Sequence, residues 1–131
     1  MKIIPIAGIA AATLLASLPA LAAGVSFVSP ADGARVPSEF KVEMAVDGMM
    51  VKPAGELVEG TGHHHLIIDG EAIAEGSPVP ADDQHRHFGK GQTETTLTLA
   101  PGSHTLTLQF ADGMHRSYGP AMSSTITVVV E

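Results

Sequence analysis

Alternating apolar and polar residues, turns built on Gly and Pro, and no stripe of helical period after residue 22 together predict an all-β protein. Several short antiparallel strands within residues 23–131 predict two packed sheets. The expected arrangement is a single immunoglobulin-like antiparallel β-sandwich, lacking the disulfide of antibody domains because the chain has no Cys.

The elements follow in order. "VSFVSP", Val25 to Pro30, is a short β-rich strand closed by the turn "ADG". "EFKVEMAVDG" sets Phe40, Val42, Met44 and Val46 on one face and Lys41, Glu43 and Asp47 largely on the other, the period of a half-buried strand. "HHHLIID" is the next strand. "TETTLTLAPGSHTLTLQFADG" reads as two strands around Pro101-Gly102, one carrying Leu97 and Leu99, the other Leu106, Leu108 and Phe110. "STITVVVE" closes the chain and buries Ile126, Val128 and Val130. Two connections are long, residues 48–62 and roughly 71–92, and long loops on a rigid scaffold are where binding residues concentrate.

Ahead of this domain, "MKIIPIAGIAAATLLASLPALAA" has one Lys, an apolar run, and then Ala20-Leu21-Ala22. That is the order of a secretory signal peptide, with cleavage expected between Ala22 and Ala23. The small-residue exit argues against a retained membrane anchor, and no Cys follows to take a lipid. The expectation is a signal peptide over residues 1–22, one domain over 23–131, and a periplasmic location.

Loss of Lys2 with the leader leaves six basic side chains against fourteen acidic ones, a net charge of −8 where the whole chain has −7. Such a surface repels phosphate backbones and anionic membranes and suits cations or a basic partner. The absence of Cys excludes disulfides, thiolate metal sites and Cys nucleophiles.

The chemistry lies in the histidines. "GTGHHHLIIDG", Gly60 to Gly70, is internal and runs into a strand, so it is no purification tag. If Leu66 and Ile68 point into the core, His64 does too, and His63 and His65 share the outer face with Ile67 and Asp69. Two residues of strand span about 6.6 Å, so His63 and His65 can lean onto one ion through bonds of about 2.0–2.1 Å. His85 and His87 form a second His-x-His pair in the long loop, and "DGMHRSYGP" offers His115 beside Met114. The candidate metal ligands are therefore His63, His65, His85, His87 and His115.

The plainer alternative makes His63 and His65 residents of a solvated sheet face, bonded to carboxylates such as Glu56 or Asp69. His64 reads as a core-edge histidine, and His104, in phase with Leu106 and Leu108, as another. Met114, Met49 and Met50 read as packing residues by default, with a soft-metal role open to them.

Imidazoles without thiolates suit copper(II), zinc or nickel, and raw affinity favours copper(II). Asp82-Asp83 and the Asp-Gly turns form no calcium loop. No G-x-S-x-G elbow, H-E-x-x-H pair or phosphate-cradling glycine loop is present, so an enzyme is not expected.

"GHHHLIIDG" together with "HRHFGKGQTETTLTLAPGSHTLTLQFADGMHRSYGP" resembles a bacterial secreted family described as a domain of unknown function, from about Val25 to Val130. The resemblance implies an immunoglobulin-like fold and family histidines at His63, His64, His65, His85, His87, His104 and His115; it implies no activity. "GHHHLIIDG" is also similar to G-H-x-H-L-x-x-D-G strands of other secreted immunoglobulin-like domains, which places His64 at an apolar position.

Two functions follow as expectations. The first is a periplasmic binding protein that sequesters or delivers copper or zinc through a histidine-rich site, releasing the ion on acidification. The second is a metal-free module that docks an envelope protein partner through a sheet edge or the acidic loop face.

Overall fold

The computed structural model describes residues 23–131, and the expected signal peptide lies outside the described residues. Nine strands follow one another: β1 Gly24–Ser29, β2 Arg35–Val36, β3 Glu39–Asp47, β4 Met50–Val51, β5 Thr61–Ile68, β6 His85–His87, β7 Glu94–Thr98, β8 Gly102–Ala111 and β9 Ser123–Val130. A single 3-10 turn, Pro120–Met122, is the helical element among the described residues.

The strands form two sheets. One has the order β1-β3-β7, and the other runs β2-β9-β8-β5-β4, with β6 also on β5. This is the immunoglobulin-like pairing, with the first, second and fifth main strands in one sheet and the third, sixth and seventh in the other. The strand readings hold for β1, β3, β5, β7, β8 and β9, whereas β6 is a short strand inside the connection read as a loop; the Pro101-Gly102 connection carries the chain from one sheet to the other. Leu97 of β7 pairs Phe40 of β3, whereas Leu106 of β8 faces Ile126 and Ile68.

The core lies between the sheets, with Phe40, Val42, Met44 and Leu97 on one side and Leu66, Leu106, Leu108, Phe110 and Val128 on the other. Period-two alternation puts His64 on this inner face opposite Phe110. Its ring is fully buried and meets Phe110 edge-on at 5.2 Å between centroids.

The odd-numbered side of β5 faces away from the core, yet His63 and His65 are as buried as core residues. The long connection after β5 folds back over this outer face and bonds to the loop after β8. Val79 donates to the His115 carbonyl at 2.9 Å, Gly76 to Ser117 at 2.8 Å, and Ser117 to Ser77 at 2.9 Å. Gln109, fully buried on the same face, accepts from the Ile73 amide and donates to the Gly119 carbonyl. The outer face, solvated in the plainer alternative, is therefore a second, roofed layer.

Candidate metal centre

Four imidazoles meet at that roof, His63 and His65 buried beneath it, His115 half-buried and His87 exposed at its edge. His63 and His65 come from β5, His87 from β6, and His115 from the turn after β8. One ligand nitrogen from each lies within 4.8 Å of all the others. All six pairs of ring centroids fall between 4.6 and 5.9 Å.

Each position has a local cause. His65 stands directly opposite His87 in the β5–β6 ladder, and His63 lies one step along the same face. Gly62 precedes this pair because a Cβ there would lie 2.2 Å from the Ala111 carbonyl oxygen. His115 has φ 64°, the left-handed region that non-glycine residues seldom occupy. Asp112 holds it there: its Oδ1 accepts from the amides of Met114 at 2.8 Å and Arg116 at 3.0 Å, and its carbonyl accepts from the His115 amide. Asp112 was not among the sequence candidates, although Asp two residues before a bend is the mark of a side-chain-closed turn.

The five candidates separate four to one. His85 also forms part of β6 but sits opposite Ile67, and its Nδ1 is bound to Asp82 Oδ1 at 2.6 Å. Asp82 Oδ1 also accepts from the Gln84 amide, so His85 closes a turn and stands outside the cluster. The carboxylates weighed as partners for His63 and His65 are engaged elsewhere. Glu56 pairs with Lys52, and Asp69 pairs with His104. His104 is occupied at both nitrogens, by Asp69 Oδ2 and the Ala100 carbonyl, each at 2.8 Å. Of the methionines, Met114 is exposed beside the cluster, Met50 is exposed on β4, and Met49 packs against the core.

The nitrogens of the cluster are short of protons. His63 Nε2 lies 3.0 Å from His65 Nε2 and 3.1 Å from His115 Nδ1. One nitrogen carries either a single hydrogen or a single lone pair, so it makes one good N–H···N bond and not two. Moving the proton to Nδ1 does not help, because Nδ1 of His63 and of His65 are buried without a protein partner. A cation at the point of convergence would take these lone pairs directly. Ligand bonds of about 2.0–2.1 Å in a tetrahedron separate nitrogens by roughly 3.3 Å, close to the His63–His65 and His63–His115 separations and inside the 4.8 Å that spans all four.

Burial, reinforced by the other imidazoles, lowers the His63 pKa to about 4 and the His65 pKa to about 3. The His87 pKa is lowered too, by burial first and His115 second. His63, His65 and His87 are therefore neutral near pH 7, the form that ligates metal.

One side of the cluster is open. A cleft of about 310 Å³ reaches His65, His87 and His115 between Pro78, Val79, Pro80, Ala81 and Met114.

The fold and this site define a small β-sandwich with a four-histidine cluster capable of holding a metal ion. The chain belongs to the DUF4399 family, a domain of unknown function, whose family pattern matches residues 42–131. No curated protein matches it. A solved structure similar to it is that of the endo-beta-1,4-mannanase from Thermotoga petrophila, at TM-score 0.51 and 14% identity. The match covers 88% of this chain and 21% of that one, so it is a likeness of fold alone.

Proposed function

We propose that this protein is a periplasmic, non-enzymic binder of a transition metal, copper(II) or zinc, and that it sequesters or delivers the ion. The observation that carries this reading is the convergence of four imidazole nitrogens within 4.8 Å, two of them on buried rings. Those rings are too close-set to satisfy one another by hydrogen bonding alone. An all-nitrogen donor set suits copper(II) and zinc and excludes the hard oxygen-seeking ions. The acidic surface and the leader-like residues 1–22 support a cation-handling, exported protein.

Release by mild acid, expected for ordinary imidazoles, moves lower here. Protons compete with the metal only as pH approaches the ligand pKa values, and those of His63 and His65 lie near 4 and 3. Binding should persist at pH 6, where an exposed histidine pair is already protonating.

The test is isothermal titration of copper(II) and zinc into the tag-free chain 23–131 and into the His63→Ala, His65→Ala double variant. The proposal expects one ion per chain and at least a hundredfold loss of affinity in the variant. Equal affinity in the two proteins would sink it.

A further inference from the structure

We infer that the cleft beside the four histidines is a second ligand site, which seats a small neutral donor molecule with an apolar body against the bound metal. This inference rests on the metal reading above and deepens it. Three observations carry it.

The first is asymmetry. His63 is fully buried and does not line the cleft, whereas His65, His87 and His115 do. The cluster is sealed from the core side and approachable from the other, so an added ligand has one direction of entry. Copper(II) held by four imidazole nitrogens in a tetragonal arrangement takes further donors on its axis, and the cleft is the side from which one enters.

The second is that the cleft is built and fixed. Its wall is held by the amide of buried Val79 on the His115 carbonyl and by the isolated bridge between Pro78 and Arg116. Pro78 and Pro80 fix their own φ angles in that wall. A volume of about 310 Å³ is at the small end of ligand-binding cavities, room for a molecule of one or two small rings.

The third is the chemistry of the lining. Apart from the imidazoles, the walls are Pro78, Val79, Pro80, Ala81 and Met114, with no fixed charge. Asp82 and Asp83 follow the wall directly, and Asp112 lies two residues before Met114. The bound dication attracts an anion as well as a neutral donor, so the apolar walls, which strip an anion of its hydration and offer it no donor in return, are what favour the neutral one. A neutral nitrogen donor with a flat apolar body meets no such cost.

The experiment uses the copper(II)-loaded, tag-free chain, with imidazole as the probe and azide as the charged comparison. Ligand-field absorption and paramagnetic resonance report a donor joining the metal. The expected result is a saturable spectral change with imidazole at constant copper content, and a weaker response to azide at equal concentration. Ala81→Trp, which fills the cleft, should weaken the imidazole response at least tenfold while one copper per chain is kept. Met114→Trp is the second variant, because Met114 is 51% exposed and its replacement spares the core.

No imidazole response in a copper-loaded wild type would overturn the second site and leave the metal reading standing. An undiminished response in both Trp variants would place the added donor elsewhere and also overturn it. An azide response equal to that of imidazole would overturn the neutral-ligand assignment. A chain that takes up no copper would remove the metal reading and this inference together.

Discussion

His65 and His87 stand directly opposite each other across the β5–β6 ladder, with ring centroids 5.1 Å apart. The pairing joins a strand of the main sheet to a three-residue strand inside a long connection, so the metal centre depends on how that connection is held. Gly89 is part of the hold: a Cβ there would lie 2.3 Å from the His87 ring. Gly89→Ala should push the ring off the cluster and weaken copper or zinc binding about 10- to 100-fold, the usual cost of disturbing a ligand's support. The melting temperature should change little, because the displaced atoms belong to a flexible side chain. Calorimetric titration and thermal denaturation of the same variant check both halves.

His85 and His87 make the opposite pair of expectations. His85 is bound to Asp82 away from the cluster, so His85→Ala should leave the affinity within about threefold of wild type. His87→Ala removes one of four ligands and should cost at least tenfold. Equal losses in the two variants would contradict the assignment.

Asp112 acts on the site only through His115. Asp112→Ala removes the acceptor for two turn amides, and His115 should leave its left-handed conformation. Asp112→Asn keeps the accepting oxygen and should retain most of the affinity. The contrast between these two variants separates positioning from a simple loss of negative charge.

The strands were legible because alternation in β3, β5 and β9 is a local property of adjacent residues. Phe40, Val42 and Met44, and likewise Ile126, Val128 and Val130, are buried as the pattern demands. The pairing of His63 with His65 was legible for the same reason. What was not legible was non-local. The choice of His87 over His85 is fixed by the register between β5 and a loop 20 residues away, and two-residue spacing treats both alike. Burial of the outer face was also hidden, since it depends on amide bonds between residues 76–79 and 115–117. Asp112 and Gly89 act through backbone and contact geometry, which composition does not display.

His64 is the simplest titrating group in the core. Burial alone lowers its pKa from 6.5 to about 4, and neither ring nitrogen has a protein partner. The unfolded chain therefore binds more protons than the folded one between these values. Stability on this account falls as pH drops from 6.5 toward 4, by roughly 3 kcal/mol for this group. His64→Leu should be at least as stable as wild type at pH 7 and should lose much less stability at pH 4.5. Urea denaturation at the two pH values measures the difference.

His104 has the opposite sign. Its bond to Asp69, then the one to the Ala100 carbonyl, raises its pKa above 6.5, since both ring nitrogens donate only in the cation. Its contribution is full below the unfolded pKa and is lost as pH rises through the folded one. His104→Ala should cost about 1 kcal/mol at pH 5.5, a modest amount because Asp69 is partly solvated, and less at pH 8.5. A cost independent of pH would remove the ionic part of this contact.

The most direct test of the four-histidine centre is X-ray absorption at the zinc edge of the zinc-loaded, tag-free chain. The four-histidine centre predicts a first shell of nitrogen at about 2.0–2.1 Å, with multiple scattering from four imidazoles. A shell dominated by oxygen, or one with two imidazoles or fewer, would contradict it.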